Sequence, residues 1–596
     1  MTARYDFAFA IGGAAGQGIA TPGNILARIF VRRGLHLNAY NAYQSIIRGG
    51  HILLTVRVGE EPVLTHGDKI DLLVCLNQDT MTRHARHLAA GGHVIFNSDD
   101  VKPAEVAAGV EICGLPVKEL TNDNRNKLVQ NTVALGAMLN LMGAEFGVLE
   151  EALAQQFKNK GKEVIDENVG MARAGYEYAK AHFKPFHQAL PKGKKPLAVW
   201  TGNEALAMGG AAAGVKFYCA YPMSPSTGVL HWMAKNAREL GIMVRQIEDE
   251  VGVANVAIGA AHTGARSMCA TSGGGFALMT EALGAASMME VPVVFINVQR
   301  AGPSTGVPTK TEQGDLWQAL GASQGDFERI IVAPKDALDA FKTLAELFNL
   351  VDHYQCPGIL LSDLLISEGT FSVDPDEVDM HPKIDRGALI LEGGGGGEYL
   401  RYLDTESGIS PRAVPGVPGH VHVIATDEHD EEGILVSDEF TNPHKRRQMV
   451  EKRARKLNDF LKKVAAPKIE GPADADVTLV GWGSTAGVLK ESVALLAERG
   501  VKANHLSVKW IKPLHADDIA RALSKAKKVL VVENNHSGQF YRYLRSETGL
   551  SVAGHIRKYD GEPLQPHHMV NGVLDHLGAK KDVADGVYVP YQEVLV

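Results

Sequence analysis

The stretch VKFYCAYPMSPST, Val215 to Thr227, sets the fold of the central part of this chain. Its first six residues read as a strand. The rest continues neither a strand nor a helix interior, because Pro222 and Pro225 fix φ at about −65° and remove two amide donors. The strand therefore runs into a rigid loop, with hydroxyls at Ser224, Ser226 and Thr227. Loops at the C-terminal ends of parallel strands are where α/β proteins bind ligands. The same residues also read as a Pro-rich turn with a Ser/Thr N-cap for the helix that GVLHWMAKNA begins.

On both sides of this stretch the same rhythm of apolar run, glycine turn and helical segment recurs, which is the pattern of an α/β protein. Strands are expected at Phe7–Ile11, Leu53–Val58, Leu72–Leu76, Val94–Phe96, Val291–Val298, Gly358–Leu361, Val477–Val480 and Val529–Val532. Three regions emerge, at 1–190, 197–440 and 465–596. The first closes with the helical, charged LEEALAQQFKNKGKEVIDENV, and Pro191 to Pro196 reads as a linker. The glycine run Gly393 to Gly397 predicts a loop, since it has no side chains to pack. A basic helix, His444 to Lys463, leads into the third region.

The bulk numbers exclude several classes. A chain of 596 residues is too long for one core. A net charge of −8 leaves no basic footprint for nucleic acid. No run of about 18 uncharged apolar residues is present, so no membrane span is expected and a cytoplasmic location follows. The start, MTARYDFAFAIGGAAGQG, reads as a first strand entering a glycine loop rather than as a signal peptide. Cys75, Cys113, Cys219, Cys269 and Cys356 stand far apart with no CxxC pair. They read as small buried hydrophobes, not as a disulfide framework or a metal site.

Two more stretches carry chemistry. In IEDEVGVA, Ile247 to Ala254, three adjacent carboxylates open an almost wholly apolar helix. An acid at the mouth of such a helix is either a first-turn charge favoured by the helix dipole or a half-desolvated functional group. In VPVVFINVQRAGPSTGVPT, Val291 to Thr309, a buried strand delivers Gln299 and Arg300 into a Gly/Pro/Ser/Thr loop. An arginine there suits a carboxylate or phosphate, or pairs with one of the nearby acids.

Together these three stretches resemble the pyrimidine-binding subunit of 2-oxoacid:ferredoxin oxidoreductases. The family hallmarks are a YP(I/M)xPST loop, an E-x-E-x-(G/A) segment and a QR-x-GPSTG-x-PT loop, present here in order as Tyr221–Thr227, Glu248–Gly252 and Gln299–Thr309. TSGGG, Thr271 to Gly275, also fits. The N-terminal region is similar to the family's gamma subunit, through GGAAGQG (Gly12–Gly18, not a dinucleotide GxGxxG) and SIIRGG (Ser45–Gly50). EHDEEG, Glu428 to Gly433, and the C-terminal GWGSTAG and VKWIKPL also fit, the latter pair as a transketolase-C-terminal-like domain.

The resemblance implies a multidomain α/β chain: a gamma-type domain at 1–190, a thiamine-diphosphate-binding, pyrimidine-type parallel-sheet domain at 197–440, and the transketolase-like domain at 465–596. It assigns Glu250, with Glu248 as fallback, to the cofactor's aminopyrimidine, and Pro225 to the cofactor side of the loop. It places Thr227 and Arg300 on the substrate's keto and carboxylate groups, with Tyr221, Pro222 and Ser226 lining the same site. Ser45 and Arg48 are to reach substrate or coenzyme A.

The chain lacks a GDG diphosphate motif, having only Gly67-Asp68, Gly314-Asp315 and Gly325-Asp326, and it lacks a cysteine set for a cluster. The resemblance places Mg2+, bound through GDG…N, and a 4Fe-4S cluster in a beta subunit, implies an (αβ)2 assembly, and makes ferredoxin the electron acceptor. In the family it resembles, a gamma–alpha fusion is more typical of enzymes acting on 2-oxoglutarate or branched 2-oxoacids than on pyruvate. The resemblance thus implies CoA-dependent, reversible conversion of 2-oxoglutarate to succinyl-CoA and CO2, which in reverse fixes CO2 as in the reductive TCA cycle. Arg48, His51 and Lys310 are candidates for the second carboxylate. Pyruvate and branched-chain or aryl 2-oxoacids are the alternative substrates, although the indolepyruvate type usually carries its own ferredoxin-like cysteines. A thiamine-binding regulator without catalysis is the alternative function.

Overall fold

The structure is a computed structural model that describes residues 5–44, 49–123, 129–186, 188–394, 398–436 and 442–579. Ser45, Arg48 and most of the glycine run 393–397 lie outside the described residues. The chain divides into two compact units, Met1–Trp200 with Gly369–Glu377 and Leu564–Val596, and Thr201–Glu368 with Val378–Pro563. Each strand named above is present at its expected place, and all five cysteines are buried. Among the described residues no helix is long and apolar enough to cross a membrane.

The first unit is built on an eight-stranded mixed sheet. Its order is Glu111–Leu115, His93–Asn97, Leu72–Cys75, Asp6–Ala15, Gly49–Gly59, His36–Ala42, Thr370–Val373, Ala198–Thr201. The central strand Asp6–Ala15 runs parallel to Leu72–Cys75 and antiparallel to Gly49–Gly59. Phe7 to Gly13 of this strand are all buried, so helices cover both faces and the strand reads as a continuous apolar run.

Two late segments complete this unit. Thr370–Val373 adds antiparallel to His36–Ala42, and Ser372 Oγ accepts from Leu37 N at 3.0 Å. The helix Pro566–His576 is tied down where Asp68 accepts from His567 N at 2.9 Å and lies 2.6 Å from its Nδ1. The stretch read as a linker is bonded along its length instead. Gly193 N donates to Arg33 O (2.6 Å), Leu197 N to Val31 O (2.8 Å), and Lys195 pairs with Asp374 at 2.7 Å. The charged helical stretch before it is two helices, Phe146–Gln156 and Lys162–His182, broken at Gly161, whose φ is 94°.

The second unit holds a seven-stranded sheet: β1 (Val215–Ala220), β2 (Met243–Gln246), β3 (Arg266–Thr271), β4 (Val294–Gln299), β5 (Ile330–Val332), β6 (Gly358–Asp363) and β7 (Trp510–Lys512). Their order is β7-β5-β6-β4-β3-β1-β2, and every pairing is parallel except β5 with β7. Helices α1 (Thr227–Leu240), α2 (Glu250–His262) and α3 (Gly273–Met288) follow β1, β2 and β3. A short helix α4 (Leu316–Leu320) follows the loop after β4.

A five-stranded sheet, ordered Ile469–Glu470, Ala503–Val508, Val477–Trp482, Val529–Glu533, Gly554–Arg557, completes the unit. One apolar cluster spans both sheets, from Val253 and Phe276 to Trp482, Ile511 and Phe540.

The basic stretch 444–463 does not form one helix. It forms α5 (Pro443–Arg455), a break, and a turn of helix at Phe460–Lys463. Nor is it simply a solvated basic face. Lys452 and Lys456 are buried with Glu290 between them, each 2.7 Å from one of its oxygens. Arg401 adds a bond to the Glu290 carbonyl at 2.8 Å.

Candidate active site

Each of the three motif stretches leaves the C-terminal end of a parallel strand in the second unit. β1 runs into Tyr221–Ser226, β2 into the acids before α2, and β4 into Arg300. Parallel strands in one sheet direct these ends to the same edge, which is where ligands bind in such sheets.

The three acids separate by role. Glu248 is exposed. Asp249 is the N-cap of α2 and accepts from Gly252 N at 2.6 Å, which accounts for one acid by ordinary capping. Glu250 is the first helical residue and only 4% exposed, and its Oε1 is buried without a hydrogen-bond partner among the described residues. A buried carboxylate oxygen left unmatched is costly, so this atom is open to a donor from a ligand or an ordered water.

Gly275 explains how Glu250 fits. A Cβ at that glycine would lie 2.6 Å from Glu250 Oε1 and would overlap Thr271 Oγ1. The glycines of TSGGG, Gly273 to Gly275, therefore open α3 without side chains against the carboxylate. Gly273, two residues earlier, meets Asp315 in the same way: its Cβ would sit 2.7 Å from Oδ1. Two carboxylates thus press on one glycine-built helix start. Ser272 Oγ, at the N-cap position, and Asn297 Oδ1 are also buried without hydrogen-bond partners among the described residues.

In the Tyr221–Thr227 loop the Ser224–Pro225 bond is cis. Pro225 is buried, and its carbonyl accepts from Asn203 Nδ2 at 2.8 Å. Ser226 is 2% exposed and its hydroxyl donates to Met223 O at 2.8 Å, so it is engaged inside the loop. Tyr221 is half-buried against the apolar cluster and Pro222 is exposed. Thr227 opens α1, half-buried. Thr271 Oγ1 approaches Met223 Sδ at 3.8 Å, which brings TSGGG against the same loop.

Arg300 joins the loops. Its Nη1 donates to Ser224 O at 2.7 Å, while its Nε is buried without a hydrogen-bond partner among the described residues. Burial disfavours its charge, and Asp315 opposes that effect. Lys310, one of the cations considered for a second substrate carboxylate, pairs instead with Glu562. His51, in the first unit, is buried 2.6 Å from His84, Nε2 to Nε2.

Asp315, Asn203 and Asn297 were not singled out from the sequence. For Asp315 the one signal was the Gly314-Asp315 pair, considered only as part of a diphosphate motif. Its carboxyl is pushed up to about 6 by burial, against an Asn297 bond of 3.1 Å and the charge of Arg300.

Comparison with known proteins places these features in context. Residues 8–178 match the family described as pyruvate ferredoxin/flavodoxin oxidoreductase. Residues 208–449 match the thiamine-diphosphate-binding region of pyruvate flavodoxin/ferredoxin oxidoreductase, and 475–569 match core domain II of pyruvate:ferredoxin oxidoreductase. The alpha subunit of 2-oxoacid:ferredoxin oxidoreductase 2 from Aeropyrum pernix is 30% identical, over 95% of this chain and 97% of that one. The 2-oxoglutarate oxidoreductase subunit KorA of Mycobacterium tuberculosis is 31% identical, over 83% of this chain and 79% of that one. Among solved structures, 2-oxoglutarate:ferredoxin oxidoreductase from Magnetococcus marinus, with 2-oxoglutarate, coenzyme A and succinyl-CoA bound, superposes with a TM-score of 0.90. That match is 32% identical and covers 96% of this chain and 99% of that one.

Proposed function

The chain belongs to the 2-oxoacid:ferredoxin oxidoreductase family, and from that premise we propose that it is the gamma–alpha fused subunit of an enzyme acting on 2-oxoglutarate. The reaction is CoA-dependent, reversible oxidative decarboxylation to succinyl-CoA and CO2, with ferredoxin as electron acceptor. Domains at 1–190, 197–440 and 465–596 carry the gamma-type, pyrimidine-binding and transketolase-C-terminal-like parts. Support for 2-oxoglutarate comes from the KorA relative and from the Magnetococcus marinus enzyme.

The observation that carries the reading is Glu250, buried with one oxygen unpartnered beside the glycine start of α3. This arrangement fits the aminopyrimidine end of thiamine diphosphate, whose N1′ takes a carboxylate partner. Bound there, thiamine diphosphate supplies the nucleophilic carbon and electron sink that decarboxylation of a 2-oxoacid needs. Glu250 holds the ring in the tautomer that accepts a proton, and the closed loop at Pro225 walls the cofactor side. Thr227 donates to the substrate's keto oxygen or carboxylate, and Arg300 pairs with the carboxylate. Each charged bond of this kind contributes about 1.5–3 kcal/mol. Tyr221, Pro222 and Ser226 shape the substrate wall. Ser45 and Arg48, from the first unit's sequence, are assigned to coenzyme A or substrate.

Diphosphate, Mg2+ and a 4Fe-4S cluster are assigned to a beta subunit with a GDG…N motif and cluster cysteines, in an (αβ)2 assembly in the cytoplasm. The test is to co-purify the chain with such a partner and follow CoA-dependent dye reduction without oxygen, with 2-oxoglutarate and pyruvate in parallel. Activity that needs both chains and favours 2-oxoglutarate is the expected result. A complex that contains thiamine and iron yet favours pyruvate or a branched 2-oxoacid overturns the substrate assignment. A chain that takes no partner and no thiamine overturns the whole reading.

A further inference from the structure

Asp315 follows β4 and the Gln299–Thr309 loop as the residue just before α4, yet its side chain does not cap that helix. Its carboxylate turns toward the sheet edge. Asn297 Nδ2 donates to Oδ2 at 3.1 Å, and the Asp315 amide is held by Gln299 Oε1 at 3.0 Å. Side chain and backbone are thus both fixed by residues of the strand that delivers Arg300. On its far side the carboxylate lies over Gly273, where a Cβ would overlap it. Arg300 is anchored through Nη1 to Ser224 O in the loop that ends in Thr227. Its remaining interaction with charge is electrostatic, with Asp315.

We infer that Asp315 is a positioning residue that sets how strongly Arg300 attracts an anionic substrate carboxylate, and that Gly273 is glycine in order to admit it. The inference rests on the reading that Arg300 faces the 2-oxoacid. With Asp315 ionised, the pair presents a guanidinium already partly neutralised. With Asp315 protonated, the guanidinium acts alone and holds the anion more tightly.

Enclosure raises the Asp315 carboxyl to about 6, so this exchange is centred near pH 6. The charged groups facing it are Arg300 from the end of β4 and Glu312 from the same loop, with Glu250 beyond Gly275 on the other flank of α3. Glu312 is itself raised by burial and is the alternative source of a titration. A 2-oxoacid carboxylate stays ionised throughout this range. Affinity for the substrate should therefore fall as pH rises through about 6, by about three- to tenfold, the size of a partly screened charge pair.

The experiment measures KM and kcat for the 2-oxoacid between pH 5 and pH 8 on the assembled complex, for the natural chain and for Asp315→Asn, Asp315→Glu and Arg300→Lys. In the natural complex KM is expected to rise through about pH 6. Asp315→Asn is expected to give a pH-independent KM close to the low-pH value, and Asp315→Glu to restore an inflection. Gly273→Ala, which crowds the carboxylate, serves as a second variant should Asp315→Asn fail to assemble; it is expected to shift or abolish the inflection. An inflection unchanged in Asp315→Asn assigns the titration to another group, such as Glu312, and overturns the inference. An Arg300→Lys complex with natural KM at every pH overturns the underlying reading of Arg300 instead, whatever Asp315 does.

Discussion

Gly273 and Gly275 are two residues apart, and a carboxylate lies where each would carry a side chain. This gives a direct prediction: Gly275→Ala pushes Glu250 off its position. Displacing a catalytic group by about 1 Å costs about 10²-fold in rate, so kcat should fall by that order while the protein still folds. Steady-state kinetics with a thiamine assay checks this. Glu250→Gln keeps the shape and removes the charge. It should lower kcat by about 10²–10⁴-fold with thiamine still present, and a complex that loses its thiamine would point to a structural role. Arg300→Ala removes the proposed charged partner of the substrate and should raise KM by about 10–100-fold, measured by initial rates on an assembled complex.

At the scale of elements, the break in the 444–463 helix and the burial of its lysines go together. Glu290, at φ 53° in the turn after α3, is fully buried between Lys452 and Lys456. Burial raises its carboxyl, and the cations Lys456, Lys452 and Arg401 overcome that and hold it well below the usual carboxylate range. A depressed carboxyl contributes stability that is present above its unfolded value of 4.5 and is lost as pH falls below it. Lys456 is pushed down to about 8 by the same burial, so its cost to folding is relieved as pH rises between about 8 and its unfolded value of 10.5. Glu290→Gln leaves buried cations without their counter-charge. It should destabilise by about 3–5 kcal/mol, with a lowered thermal midpoint and a weaker acid dependence, readable by calorimetry between pH 3 and pH 7.

For the whole molecule, the apolar helices beside the site leave large side chains in water. Val251 is 50%, Leu278 54% and Trp317 51% exposed. If the site is completed by a beta subunit, the faces of α2, α3 and α4 are the ones next to the cofactor and are covered in the assembly. Trp317 should then shift its emission to the blue when the partner is added, and Trp317→Phe should remove that shift. Emission unchanged in a complex proven to form would place the partner elsewhere.

Much of the parallel-sheet architecture and of the three motif loops was legible in the sequence, because each signal was local. A strand covered on both faces reads as a continuous apolar run, and two prolines mark a loop whatever surrounds them. Which of Glu248, Asp249 and Glu250 is proposed to meet the cofactor was not fixed by those residues alone, where resemblance supplied the assignment. Their structural roles separate only once the helix start, its N-cap bond and its buried side are known. The return of Thr370–Val373 and Pro566–His576 to the first unit had no local signature, since a four-residue strand and an eleven-residue helix look alike wherever they dock. Asp315 escaped for the same reason. An aspartate after a glycine is ordinary in sequence. It matters only because the chain's path lays it against Gly273 and Asn297, 42 and 18 residues away, and within reach of the charge of Arg300, 15 residues away. Local composition determined the elements and the loops. Long-range packing, which decides which polar atoms lose water and which neighbours share their charge, determined the site.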